Sequence, residues 1–128
     1  MSENLYQDLI LDHYRNPRNR GTLKNATHSF AMDNPTCGDN VRIDLTVRNS
    51  RVATARFSGE GCAISQAAAS LLMQHTEGKT IAALKKMSKD DMLSLLGGAT
   101  LGPARLRCAL LALEVLQKAL DAERTHKK

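Results

Sequence analysis

The sequence predicts an α+β fold, a two-layer domain in which a three-stranded antiparallel sheet packs against amphipathic helices. Three observations carry this reading. Val41, Ile43, Leu45 and Val47 alternate with Arg42, Asp44, Thr46 and Arg48, the period of a strand with one wet face. Past Cys62 the period changes, and Ile64, Ala67, Ala68, Leu71 and Leu72 recur at helical spacing. Three strands cannot shelter one face alone, so the amphipathic stretches at both ends of the chain must cover it. At 128 residues the chain fits a single domain, 1–128. A domain of that size buries about two-thirds of its unfolded surface.

The first helix spans residues 2–14, with Ser2 as N-cap, Leu5, Leu9 and Ile10 inward, and Asp8, Asp12 and His13 toward water. His13 falls near the helix end, where a protonated imidazole is favoured. Asn16-Pro17-Arg18-Asn19-Arg20-Gly21 then ends the helix in a polar turn. A strand over 27–32 turns His28, Phe30 and Met32 to one face. The strand over 41–48 follows, and Asn49-Ser50 makes a hairpin turn into a third strand over 51–58, with Ala53, Ala55 and Phe57 inward.

The helix after Cys62 runs to about residue 76 and stops near Gly78. Residues 80–86 form a short helix, and Ser88-Lys89-Asp90-Asp91 is a capping box for another that ends at Gly97-Gly98. The last helix begins near Pro103, a favoured first-turn position, and carries Leu106, Leu110, Leu113, Leu116 and Leu120 inward. The polar tail from Ala122 onward frays.

Composition narrows the function. With two Phe, two Tyr and no Trp, the core must be aliphatic. No apolar run approaches the roughly 20 residues of a membrane span, and the first residues lack the pattern of a signal peptide, so a cytoplasmic location is expected. The net charge of +5 is spread along the chain, with no dense basic helix and no aromatic-studded strand, which argues against nucleic acid as a partner. Three cysteines are an odd count and form no disulfide framework.

Each cysteine falls on a loop or near a helix start. Cys37 sits in Asn34-Pro35-Thr36-Cys37-Gly38-Asp39, a turn built by Pro35 and Gly38, with the Asp39 carboxylate two residues beyond the thiol. A thiolate and a carboxylate on one tight loop make half of a metal site, although the hexapeptide alone reads better as a polar turn with an incidental cysteine. Cys62 lies where the third strand becomes a helix, at the positive end of its dipole, behind Gly59 and Gly61, which let a metal or a partner approach the backbone. Cys108 is about one turn into the last helix, beside Arg105 and Arg107, whose charge offsets that of the thiolates. None of His13, His28, His75 and His126 lies in a cysteine motif, and none is expected as a ligand.

At these residues the chain resembles the U-type iron–sulfur cluster assembly proteins, which include IscU, SufU and the amino-terminal domain of NifU. The resemblance runs from Leu5-Tyr6 through the final helix. It is carried by Asp12-His13-Tyr14-Arg15-Asn16-Pro17-Arg18-Asn19, by Asn34-Pro35-Thr36-Cys37-Gly38-Asp39, by Gly59-Glu60-Gly61-Cys62-Ala63-Ile64-Ser65 and by Ala104-Arg105-Leu106-Arg107-Cys108. It implies a scaffold that takes sulfur from a cysteine desulfurase, holds a nascent [2Fe–2S] cluster or zinc at one site, and hands the cluster to apo iron–sulfur proteins. It further implies Cys37, Asp39, Cys62 and Cys108 as the ligand set, with Cys37 as sulfur acceptor and Arg105 in support. Two copies could share a cluster as a homodimer.

Such a chain is a carrier rather than an enzyme that turns over substrate. A zinc-dependent sulfurtransferase partner of the SufU kind is the alternative, and a structural zinc domain the third reading. The chain departs from both branches. The interval between Cys62 and Cys108 is too short for the added segment of SufU proteins. Arg107 stands where IscU has histidine, and Leu101-Gly102-Pro103-Ala104-Arg105 stands where IscU has its chaperone-binding Leu-Pro-Pro-Val-Lys.

Overall fold

The computed structural model describes residues 2–34, 38–97 and 101–121. In chain order the elements are α1 (Ser2–Arg15), β1 (His28–Asn34), β2 (Asp39–Arg48), β3 (Arg51–Ser58), α2 (Ala63–Thr76), α3 (Ile81–Lys85), α4 (Lys89–Leu95) and α5 (Pro103–Leu120). The sheet has the order β1-β2-β3 with both pairings antiparallel. Helices α2 and α5 lie against it, and α1 packs on α2, which is the two-layer α+β arrangement that the sequence predicts. No helix of the described residues is long and apolar enough to cross a membrane.

The core is aliphatic, as the composition requires. Val41, Ile43 and Leu45 of β2 share one buried cluster with Leu72 and Met73 of α2 and Leu116 of α5, with Phe57 a fully buried aromatic among them. Ala67, Ala68, Ala109 and Ala112 have no exposed surface, so both helix backbones approach closely. Truncating Leu116 to alanine there would cost about 2–5 kcal/mol. On α5 the inward face centres on Ala109, Ala112, Leu116 and Ala119; Leu113 and Leu120 are buried, but Leu106 and Leu110, also expected inward, lie at its edge, half-buried.

The β2–β3 turn shows how sequence sets register. Asn49 and Ser50 have φ of 54° and 64°, the left-handed pair of a type I′ hairpin. A bulge at Thr46/Val47 pairs Val47 with Val52 and Thr46 with Thr54. Ala53 is therefore the spare residue. It is exposed, and Val52 takes the inward place that simple alternation gave to Ala53.

Two polar residues expected in water are buried. Asp44, 1% exposed, receives Ser29 Oγ at 2.6 Å and Arg42 Nε at 3.1 Å on Oδ1, and the Leu23 backbone N–H at 3.1 Å on Oδ2. The segment 16–27 brings this about. It borders β3, with Phe57 N–H donating to Asn19 O and Gly21 N–H to Phe57 O, and then passes Asp44 on its way to β1. His13 is 4% exposed, and its Nδ1 stands 2.7 Å from Ser70 Oγ on α2. The Arg18 backbone N–H donates to the same oxygen at 2.8 Å. Burial first, and the Arg18 charge second, push the His13 imidazole below its ordinary range. Burial thus works against the protonated imidazole that the helix-end position alone favours for His13.

The remaining helices follow their local signals. Thr80 caps α3, and Ser88 with Asp91 forms the reciprocal capping box of α4. Gln117 Nε2 donates to Leu84 O and Met87 O, fastening the α3–α4 connection to α5. Ser2, expected as an N-cap, is the first helical residue. The Leu5 side chain, Gly98 and the tail from Ala122 lie outside the described residues.

Candidate metal centre

Asp39 opens β2, two residues earlier than the alternation alone placed the strand, and its pairing with Asn34 sets it at the end of the sheet. Its side chain is buried, 2% exposed. A buried carboxylate needs compensation, and part of it comes from the Cys62 backbone N–H, which donates to Oδ1 at 2.9 Å.

Cys62 is the N-cap of α2, extended at φ −73° and ψ 170°, and its side chain makes no capping bond. The sulfur is left exposed at the rim and stands 3.7 Å from Asp39 Oδ2. Ser65 Oγ donates to the Cys62 carbonyl at 3.1 Å, fixing the same residue from within the first turn. Cys108, on the second turn of α5, is buried. One ligand atom from each of Asp39, Cys62 and Cys108 lies within 4.8 Å of the others, and among the described residues these three form the group able to hold an ion.

The donor set fits such an ion. Zinc takes sulfur at about 2.3 Å and oxygen at about 2.0–2.2 Å, so tetrahedral neighbours stand roughly 3.3–3.8 Å apart. The Cys62 sulfur and the Asp39 oxygen meet that spacing. Gly61 completes the cradle, because a Cβ there would fall 2.5 Å from Asp39 Oδ1 and against Ser65 Oγ. Gly59, at φ 123°, has no room for a Cβ beside the Asn40 carbonyl. What approaches these glycines closely is therefore the start of β2, where a metal or a partner was expected.

Of the expected ligands, Asp39, Cys62 and Cys108 are brought together, and Cys37 lies outside the described residues. Arg105 and Arg107 are exposed. Arg107 lines a cavity of about 280 Å³ with Asp33, Asn34 and Glu114. His13 and His28 are tied by hydrogen bonds to Ser70 and Thr27, and His126 lies outside the described residues. Sequence reasoning missed Ser65, Asn40, Arg20 and Gln66. Only the glycine pair hinted that something packs closely there.

The NifU-like N terminal domain model matches residues 5–128. The chain belongs to that family. Among its relatives, this NifU-like chain is 39% identical to the zinc-dependent sulfurtransferase SufU of Bacillus subtilis, over 94% of its own length and 92% of the relative's. That alignment spans 137 positions against a chain of 128 residues, so the relative carries residues that this member lacks. The chain is 34% identical to the iron–sulfur cluster assembly scaffold protein IscU 1 of Archaeoglobus fulgidus, over 91% of its own length and 74% of the relative's. The NifU-like fold is also that of the SUF-system protein FiSufU from Fervidobacterium islandicum, with a TM-score of 0.77 and 24% identity over 94% and 99% of the two chains.

Proposed function

We propose that this chain is an iron–sulfur cluster assembly scaffold. It accepts sulfur from a cysteine desulfurase, transiently holds a [2Fe–2S] cluster or zinc on Cys37, Asp39, Cys62 and Cys108, and passes the cluster to apo-proteins. The observation that carries the reading is the convergence of Asp39, Cys62 and Cys108 from a strand start, a helix cap and a second helix. Soft thiolates suit iron–sulfur cargo or zinc, and a carboxylate is a harder, weaker ligand for either. Asp39 and Cys108 form the buried wall of the site, while exposed Cys62 stands where a partner can reach it.

Sulfur arrives without an external oxidant. An acceptor thiolate, proposed as Cys37, attacks the outer sulfur of the donor's persulfide. The donor's S–S bond breaks, and its thiolate leaves with the electron pair.

The relative named a zinc-dependent sulfurtransferase favours a second reading, in which zinc is resident and the chain is a sulfur acceptor for the desulfurase. Bound zinc would supply charge that keeps the cysteine sulfurs anionic. Anaerobic purification, visible spectra, metal and acid-labile sulfide analysis, and a desulfurase assay decide between them. Iron, sulfide and visible charge-transfer absorption support the scaffold. Colourless protein with one zinc that stimulates a desulfurase supports the second reading. Zinc without such stimulation leaves a structural zinc domain and overturns both. Size-exclusion chromatography of the loaded form reports whether two copies share a cluster.

A further inference from the structure

The loop that carries Cys62 joins β3 to α2 and contains two glycines, so its shape depends on the contacts that hold it from either side. Arg20 grips it from outside. The Arg20 backbone is itself anchored, as the parallel bridge partner of Phe57 between the Asn19 and Gly21 hydrogen bonds to that residue. From this base its guanidinium lies over the Phe57 ring, 5.6 Å from the centroid. Nη2 donates to the Gly59 carbonyl at 3.0 Å, at the start of the loop. Nη1 donates to Gln66 Oε1 at 2.5 Å, one helical turn beyond Cys62 on α2. One planar cation therefore holds both sides of the loop, its donors set in a rigid, pre-organised fork.

The rest of the loop faces the other way. Glu60 O accepts the Asn40 N–H at 2.7 Å, and Cys62 N–H reaches Asp39, so the loop is held between β2 on one side and Arg20 on the other. Loosening either side lets the Cys62 sulfur drift from Asp39 Oδ2.

We propose that Arg20 is a positioning residue for the metal centre, setting the Cys62–Asp39 geometry through Gly59 and Gln66 without touching the cargo. This rests on the site reading given above. Groups that orient ligands from behind typically contribute 10–100-fold to metal affinity.

The test compares wild type with Arg20→Ala, Arg20→Lys, Gln66→Met and Cys62→Ser. Zinc affinity is measured by chelator competition, cobalt-substituted protein by its absorption spectrum, and metal-free protein by amide exchange at Cys62. Arg20→Ala is expected to weaken zinc binding roughly tenfold, alter the cobalt spectrum and speed Cys62 exchange. Arg20→Lys, which keeps the charge but not the planar fork, should recover part of this. If Arg20→Ala lowers the melting temperature so far that its affinity is uninformative, Gln66→Met decides, since it breaks the same grip from α2. Wild-type affinity, spectrum and exchange rate in folded Arg20→Ala or Gln66→Met overturn the proposal. Undiminished binding by Cys62→Ser would instead overturn the site reading.

Discussion

Asp39 Oδ1 accepts the backbone N–H of Cys62 at 2.9 Å, joining two site residues that stand 23 positions apart in the chain. The carboxylate thus does two things at once. One oxygen holds the loop of its neighbour, and the other faces that neighbour's sulfur. Asp39→Ala removes both functions, whereas Asp39→Asn keeps an acceptor for the N–H and removes the charge. Both variants are expected to keep cargo on the cysteines, with weaker zinc affinity, and to slow cluster transfer to an apo-ferredoxin, because the weak ligand that opens is gone. Wild-type transfer rates in well-loaded Asp39→Ala would leave the residue a backbone anchor only.

Gly61→Ala tests the cradle. The added methyl must displace the Asp39 carboxylate or Ser65, so zinc affinity should fall by about 10–100-fold, with far-ultraviolet circular dichroism unchanged. Affinity equal to wild type would mean that the carboxylate moves aside freely.

Cys37→Ser, Cys62→Ser and Cys108→Ser are each expected to abolish stable cluster or metal binding while preserving much of the fold. A hydroxyl is a poor substitute for a thiolate toward soft centres. Metal analysis after anaerobic purification is the measurement, and full metal content in any one variant removes that residue from the ligand set.

Stability should fall in mild acid. Burial lowers the proton affinity of His13, helped by the charge of Arg18, and burial with Lys79 does the same for His75. The unfolded chain then binds these protons more readily than the folded one. Stability is complete above the ordinary imidazole value of about 6.5 and is lost as pH drops below it, through the lowered folded values. Melting temperatures of metal-free protein from pH 8 to 5 should show this drop. His13→Gln should flatten it in part and His75→Gln further, while an unchanged slope in the double variant would assign the acid sensitivity elsewhere.

Asp44→Ala should destabilise the fold by about 1–3 kcal/mol, because it strips a partner from the half-buried Ser29 and Leu23 donors and from Arg42 at once. Asp44→Asn, which keeps an oxygen acceptor, should cost less. Chemical denaturation reads both.

Much of this was legible in the chain because local chemistry and tertiary structure agree. The Val41–Val47 alternation, the Asn49-Ser50 turn and the Ser88–Asp91 capping box need no distant partner to form. Ala53 was misread because a bulge shifts the period by one residue without changing composition. Asp44 and His13 were misread for another reason: each is buried by a segment far away in sequence, residues 16–27 for one and α2 for the other. The site shows the same division. Motifs exposed the chemistry of Asp39, Cys62 and Cys108, but nothing in them indicated that Arg20 would reach across to Gly59 and Gln66.

The order in which the three donors leave the ribosome follows from their places in the chain. Asp39 and Cys62 are synthesised early, and α5, which carries Cys108, comes last. While α5 is still inside the exit tunnel, the emerging sheet presents an incomplete donor set and an uncovered apolar face. The full donor set therefore arises only once the last described helix has docked and brought Cys108 to Asp39 and Cys62.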